Sequence, residues 1–370
     1  MHILFAGGGT AGHINPALAV AGLIRKYNPD ATISYIGKKD GMEQRLVTQA
    51  GFDFYPIEVE GIQRKINLEN IKRNAIAIKK VFSSSALARK YLKELKPDVV
   101  VGTGGYVSGP VLREAHKLGI KIAIHEQNAY PGVTTKMLAP KADLVMLAMS
   151  QAKDRMNYKG VPVITGNPIR SEMTDFSKEA AREKLGLKPQ DRVVLSMGGS
   201  LGADKINEAI IRLIAENYKS GEIYFIHGTG KRSYERFIKQ ITAAGVDIND
   251  PHVIIKDYLD NTVCIPAADL IISRAGAISL TEIGVCAKPA IFIPSPNVAE
   301  NHQYYNALSL KNVGAAELLE EDQLYKLGDM VKSLIFDDKK LYEMSEKSAG
   351  AVIPDAAKRI YDEVIKLYNK

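Results

Sequence analysis

Met1-His2-Ile3-Leu4-Phe5-Ala6-Gly7-Gly8-Gly9-Thr10-Ala11-Gly12-His13-Ile14-Asn15-Pro16 is the stretch whose reading decides the fold. An apolar run, His2–Ala6, feeds a glycine cluster and then an amphipathic segment, Asn15–Lys26, with Leu18, Ala19, Gly22 and Leu23 on one face. Strand, glycine turn, helix is the opening unit of a βαβ fold, and the run without alternation predicts a strand buried on both faces. The start lacks the charged region and cleavage site of a secretory leader.

The pattern repeats along the chain. Strands are predicted over Thr32–Ile36, Asp53–Ile57, Asp98–Gly102, Ile122–His125, Leu144–Met146 and Val163–Thr165. Helices are predicted over Met42–Ala50, Leu68–Leu95 and Gly109–Leu118. After Gly166-Asn167-Pro168 the alternation restarts. Its strands are Arg192–Met197, Ile223–His227, Val253–Ile255, Leu270–Ser273 and Ala290–Ile293. Its helices are Ala203–Asn217, Ser233–Ala244, Asn261–Ala267 and Ser279–Cys286. The prediction is an α/β chain of two Rossmann-like, doubly wound parallel-sheet domains facing across a cleft, hinged near residues 166–170. A tail helix, Pro354–Asn369, places Ile360, Val364 and Ile365 on one side.

Composition narrows the class. With 370 residues, 46% hydrophobic and 25% charged, the chain suits two ordinary globular cores. No stretch reaches the ~18 uncharged apolar residues of a spanning helix. Two cysteines, Cys264 and Cys286, exclude a disulfide framework and suit a reducing compartment. A net charge of +7 suits anionic partners.

Gly7–Gly12 satisfies G-x-G-x-x-G, which alone suggests a dinucleotide site. That fingerprint wants an acidic residue at the end of the second strand to hold a ribose. Here the strand ends in Gly37-Lys38-Lys39, so the dehydrogenase reading loses its anchor. Three further loops follow strands: Gly102–Gly109, Gly198–Ala203 and Gly228–Gly230. Carboxyl strand ends are where such sheets bind ligands, so both domains carry anion-receptive loops.

Taken in order, these motifs resemble the MurG-type glycosyltransferases of bacterial cell-wall synthesis. The resemblance rests on Gly7–Pro16, Gly104-Gly105-Tyr106-Val107-Ser108-Gly109-Pro110, His125-Glu126-Gln127-Asn128 and Gly166-Asn167-Pro168-Ile169-Arg170. It continues through Gly198–Ala203, Arg274-Ala275-Gly276-Ala277 to Glu282, and His302–Ala307, covering nearly the whole chain. Ala11, Leu201 and His302 depart from the commoner family residues.

The resemblance implies a GT-B fold. It implies inverting transfer of N-acetylglucosamine from its UDP donor to undecaprenyl-diphosphoryl-N-acetylmuramyl-pentapeptide. It implies an acceptor- and membrane-binding domain over residues 1–166, completed by 354–370, and a donor-binding domain over 167–353. Arg170 and the Leu259 backbone would flank uracil, and Glu282 would hold the ribose. Ser200 and the helix start at Ala277, Ile278, Ser279, Leu280 and Thr281 would hold the diphosphate. Asn128 and Gln303 would contact the sugar, near Thr10, Ala11 and Gly12. Gly9, Gly104, Gly105 and Tyr106 would receive the acceptor. No Asp-x-Asp pair occurs, so neither metal nor cofactor is expected.

Two readings stand for His13: general base, since imidazoles titrate near neutrality, or helix cap and phosphate guide. Glu126 is the second candidate base, or a structural acceptor. Arg274 is either a ligand or an ion-pair partner. Residues 64–93 read as a basic amphipathic segment: Ile71, Ala75, Ile78 and Phe82 form a stripe among Arg64, Lys65, Lys72, Arg73, Lys79, Lys80, Arg89, Lys90 and Lys93. Such a segment lies on an anionic membrane or packs on its own sheet. The resemblance implies a peripheral protein at the cytoplasmic membrane face, within a cell-wall or division complex. Rivals are a related lipid glycosyltransferase, a UDP-N-acetylglucosamine 2-epimerase and, from charge alone, a nucleic-acid binder. The last lacks any aromatic–basic module, so no nucleic-acid partner is expected.

Overall fold

The computed structural model describes residues 1–60, 83–199 and 202–370. Two compact units form, Met1–Ile169 with Pro354–Lys370, and Arg170–Ile353.

Unit 1 contains β1 (His2–Gly7), α1 (Ala11–Tyr27), β2 (Thr32–Lys38), α2 (Met42–Gln49), β3 (Asp53–Ile57) and α3 (83–95). It continues with β4 (Val99–Gly104), α4 (Gly105–Lys117), β5 (Lys121–Glu126), α5 (Val133–Leu138), β6 (Leu144–Leu147) and β7 (Val163–Ile164). Among the described residues its sheet runs β3-β2-β1-β4-β5-β6-β7, with every neighbour parallel. Side chains of alternate strand positions feed two apolar layers. Ile3, Phe5, Val99 and Val101 meet Ala17, Val20 and Ile24 of α1. Leu4, Ala6 and Val100 meet Ala88 and Leu92 of α3 and Val111 and Leu112 of α4. Burial on both faces is why these strands read as unbroken apolar runs.

Unit 2 contains α6 (Lys178–Lys184), β8 (Arg192–Met197), α7 (Asp204–Asn217), β9 (Ile223–Gly228), α8 (Tyr234–Ala243), β10 (Val253–Lys256) and α9 (Asn261–Ala267). Next come β11 (Leu270–Ser273), α10 (Ala277–Val285), β12 (Ala290–Phe292), α11 (His302–Asn312), β13 (Ala316–Leu318), α12 (Leu327–Ile335) and α13 (Asp338–Gly350). Among the described residues its parallel sheet runs β10-β9-β8-β11-β12-β13. The last helix, α14 (Ala356–Asn369), belongs to unit 1, burying Ile360, Val364 and Leu367 against the α1 layer. Leu367, not the half-buried Ile365, completes that stripe, as an i, i+4, i+7 face requires.

Three helices start earlier than predicted. The α1, α4 and α10 starts reach back to Ala11, Gly105 and Ala277, against expected starts at Asn15, Gly109 and Ser279. Gly12 and Gly105 weaken the local helix signal at the first two starts, and tertiary contacts override it. Short elements without strong periodicity, β13 and α5 among them, gave no sequence signal.

Several expectations lie outside the described residues. These are Ser200, Leu201 and, from the basic segment, Arg64, Lys65, Ile71, Lys72, Arg73, Ala75, Ile78, Lys79, Lys80 and Phe82. In the described part, α3 commits Ala88 and Leu92 to the core and leaves Arg89, Lys90 and Lys93 exposed.

Candidate active site

In each unit the strand order reverses once, between β1 and β4 in unit 1 and between β8 and β11 in unit 2. Crevices open at such reversals because successive connections leave on opposite faces. Of the glycine loops singled out in sequence, Gly7–Gly9, Gly104-Gly105 and the loop opening with Gly198-Gly199 after β8 fall there, joined by the β11 exit at Arg274–Ala277, whereas Gly228–Gly230 follows β9 away from the reversal. The helices that follow, α1, α4, α7 and α10, have no side-chain hydrogen bond from their N-cap residues. Ser177, Asp260 and Asp337 cap α6, α9 and α13, whereas α2, α5, α8, α11, α12 and α14 also lack a side-chain cap, so it is the place of the α1, α4, α7 and α10 starts at the strand-order reversal that marks them. Uncapped helix starts at a crevice receive phosphates.

The two glycine loops of unit 1 lock into each other. Gly104 and Gly105 have φ of 103° and 79°, a region costly for any residue with a Cβ. A Cβ on Gly105 would stand 2.2 Å from the Gly8 carbonyl oxygen, and one on Gly104 would stand 2.8 Å from His13 Nδ1. The His13 ring therefore lies on the bare backbone of the second loop. His13 is the third residue of α1, inside the helix and not at the loop end where sequence placed it. Its Nδ1 lies 3.1 Å from Gln127 Oε1.

Successive residues leaving β5 turn to opposite faces, and their bonds divide accordingly. On one side, His125 Nε2 lies 2.9 Å from the Gly166 carbonyl, and His125 Nδ1 lies 3.0 Å from Gln127 Nε2. Full burial holds the His125 pKa down to about 4 against the partial compensation of the Gly166 bond. On the other side, Glu126 Oε1 accepts from the Asn128 N–H and Nδ2 at 3.0 Å each. Glu126 Oε2 accepts from the Gly132 N–H at 3.0 Å and the Thr135 hydroxyl at 2.6 Å. Both carboxylate oxygens are thus engaged, each twice. Thr10 and Ala11 are exposed at the α1 start, Gly12 is half-buried, and Tyr106 is 56% exposed.

Glu43 was not foreseen. Its carboxylate sits beneath the first loop, accepting from the Lys38 N–H at 2.9 Å and the Gly9 N–H at 3.4 Å. In sequence it is one acid at the start of α2, and only the parallel pairing of β1 and β2 carries it there.

In unit 2, Glu282 is buried in α10 with Asn261 Nδ2 at 3.2 Å and Arg170 Nη2 at 3.8 Å. Burial raises its pKa, opposed by the Asn261 bond and the Arg170 charge. Arg170 is exposed, whereas the Leu259 side chain is buried against Gly228. Ala277, Leu280 and Thr281 are buried, and Ile278 and Ser279 are half-buried at the uncapped start. Gln303 Oε1 accepts from the Ser295 N–H at 2.8 Å. Arg274 donates to the Ile293 and Pro294 carbonyls and pairs with Glu321, which makes it an anchor of the β12 exit. Of the expected donor set, Thr10, Ala11, Gly12 and Asn128 belong to unit 1 and the other described members to unit 2. Asn261 is a residue that sequence reading passed over, because only folding brings it to Glu282.

Residues 3–147 match the glycosyltransferase family 28 N-terminal domain, and residues 193–360 match the family 28 C-terminal domain. The chain belongs to glycosyltransferase family 28. A relative from Acetivibrio thermocellus is 41% identical, over 99% of this chain and 98% of its own length. That relative is named UDP-N-acetylglucosamine--N-acetylmuramyl-(pentapeptide) pyrophosphoryl-undecaprenol N-acetylglucosamine transferase. The crystal structure of Acinetobacter baumannii MurG superposes with a TM-score of 0.78 at 28% identity, covering 99% of each chain. A UDP-GlcNAc 2-epimerase from Neisseria meningitidis, bound to UDP-GlcNAc, superposes with a TM-score of 0.68 at 14% identity and shares the fold alone. Each of the two matched domains carries a glycine loop at the switch point of its own sheet.

Proposed function

We propose that this chain moves N-acetylglucosamine from UDP-N-acetylglucosamine to undecaprenyl-diphosphoryl-N-acetylmuramyl-pentapeptide, with inversion at the anomeric carbon. The observation that carries the reading is the 41% identity over the full chain to a transferase named for that reaction. The uncapped helix starts at both switch points supply the chemistry it needs.

On the donor side, the α10 start, Ala277–Thr281, receives the diphosphate. As UDP departs with the bonding electron pair, charge grows on the β-phosphate, where the helix dipole and its free N–H groups stabilise it. Ser200 belongs to the same proposed phosphate set. Glu282, aimed by Asn261, accepts from the ribose hydroxyls, and Arg170 with the Leu259 backbone flanks uracil. Gln303 and Asn128 contact the sugar, with Thr10, Ala11 and Gly12 near it. On the acceptor side, Gly9, Gly104, Gly105 and Tyr106 receive the lipid-linked substrate. His13 takes the proton of the acceptor hydroxyl as its oxygen bonds to the anomeric carbon. Glu126 serves as the brace of the 126–135 turn, since its acceptor capacity is already used.

The lipid-linked acceptor requires docking at a bilayer. Among the described residues no helix is long and apolar enough to cross a membrane. We assign docking at the cytoplasmic face to the basic segment 64–93, of which Arg89, Lys90 and Lys93 are exposed on α3.

The test is transfer of radiolabelled N-acetylglucosamine from UDP to a short-chain polyprenyl-diphosphoryl-muramyl-pentapeptide, with EDTA present. Product supports donor, acceptor and metal-free transfer together. Product only after magnesium addition would overturn the metal-free mechanism. Donor turnover without acceptor would point to epimerisation instead.

A further inference from the structure

His13, Gln127, His125 and the Gly166 carbonyl form one line of hydrogen bonds within unit 1. Its protons follow from its fixed end. A carbonyl only accepts, so His125 Nε2, 2.9 Å from Gly166, carries a hydrogen. Full burial keeps the ring neutral, leaving His125 Nδ1 bare. The bare nitrogen needs a donor, and Gln127 Nε2 supplies it at 3.0 Å while also donating to the His125 carbonyl at 3.0 Å. Both bonds orient the same amide, whose Oε1 is thereby turned to His13 Nδ1 at 3.1 Å. That oxygen only accepts as well, so His13 Nδ1 carries a hydrogen, and in the neutral ring Nε2 is the bare nitrogen. Gln127 is 2% exposed, so solvent does not compete for its amide.

We infer that Gln127, oriented by His125 and the Gly166 carbonyl, is a positioning residue that fixes His13 in the Nδ1-protonated tautomer and presents Nε2 as the proton acceptor. The inference rests on the reading of His13 as general base. An unrestrained imidazole favours the opposite tautomer, with the hydrogen on Nε2, which is useless as a base at that nitrogen. When Nε2 takes the acceptor proton, the ring becomes an imidazolium, and its Nδ1–H bond to Gln127 Oε1 becomes charge-assisted. No charge is delivered to His125 or Gly166, whose task is to stop the amide from turning over. The missing side chain of Gly104 leaves room for the ring, since a Cβ there would stand 2.8 Å from His13 Nδ1.

The experiment uses the full chain labelled with ¹⁵N-histidine, read by long-range proton–nitrogen correlation at pH 8, with His13 assigned by its loss in His13→Ala. The expected wild-type signature is a protonated Nδ1 and a bare Nε2. Gln127→Leu should move His13 toward the Nε2-protonated form and lower kcat about 10-fold or more, with UDP affinity unchanged. Gln127→Glu keeps an oxygen facing His13 but gives up the donor to His125 Nδ1 and the His125 carbonyl, so the His13 Nδ1-protonated signature should be retained while the His125 signals shift. A wild-type His13 protonated on Nε2 would overturn the inference, as would a Gln127→Leu chain with unaltered tautomer and kcat. Should Gln127→Leu not fold, the wild-type signature and Gln127→Glu decide. Failure of the base reading itself looks different: His13→Ala would keep full turnover while the tautomer signature stood.

Discussion

His13 Nδ1 meets Gln127 Oε1 at 3.1 Å across 114 positions of sequence. The contact ties the first turn of α1 to the exit of β5, across the point where the strand order reverses. It gives the imidazole one fixed partner at one nitrogen, the arrangement a general base requires.

His13→Ala should therefore lower kcat by about 10²- to 10⁴-fold, the usual contribution of a positioned base. UDP affinity, measured by calorimetry, should stay within a few-fold of wild type. Turnover at the wild-type rate would remove His13 as the base.

Glu282 predicts a donor defect instead. Its carboxylate is buried beside Asn261 and Arg170. Glu282→Ala should weaken UDP binding about 10- to 100-fold, the range expected for losing a charge-assisted bond. Circular dichroism should be unchanged. Unaltered UDP affinity in a folded variant would sink the ribose assignment.

Glu126 separates two roles by substitution. The carboxylate holds four donors from Asn128, Gly132 and Thr135. Glu126→Gln offers an NH₂ where one pair of donors converges, so the turn loses acceptors it needs. The thermal midpoint should fall together with activity, by an amount on the order of 2–4 kcal/mol at the midpoint. A variant with full thermal stability and no turnover would make Glu126 the base after all.

The loop interlock is tested by two alanines. Gly105→Ala drives a Cβ into the Gly8 carbonyl at 2.2 Å and should cost both stability and transfer activity. Gly9 also has a positive φ, 87°, but a Cβ there meets nothing within 4 Å. Gly9→Ala should cost only backbone strain, about 1–2 kcal/mol. Equal melting temperatures for the two variants would refute the close-approach argument.

Acid should weaken unit 2 through His227. Its ring is fully buried against Phe237, with Nδ1 bonded to Ser196 at 2.8 Å, and burial holds its pKa down to about 3. In the unfolded chain an imidazole titrates near pH 6.5, so between about pH 6.5 and 3 the unfolded state binds more protons. Stability is therefore present above that window and lost as pH falls through it, by up to about 1.4 kcal/mol per pH unit for this group. Buried His125 adds the same sign in unit 1, down to about pH 4. Urea midpoints taken from pH 7 to 4 should fall less steeply for His227→Asn than for wild type. Parallel slopes would exclude His227 as a contributor.

Local chemistry alone determined much of this protein. Apolar runs such as Val99-Val100-Val101, each followed by glycine or serine and then an amphipathic segment, specify buried parallel strands and crossover helices, because periodicity and turn residues act over a few positions. The glycine loops were legible as strand-to-helix turns for the same reason. Tertiary structure decided what those loops do to one another. That Gly105 is glycine because of Gly8, that Glu43 supports the first loop, that Asn261 aims Glu282, and that Glu126 is consumed as a brace all depend on contacts between distant segments. Two of the helix starts shifted into loops that carry glycine, Gly12 and Gly105, because packing outweighs the roughly 1 kcal/mol that glycine costs in a helix. Gln127 shows the division within one motif. Its place in His125-Glu126-Gln127-Asn128 is local, but its amide has a direction only because a strand, a helix and the Gly166 carbonyl converge on it.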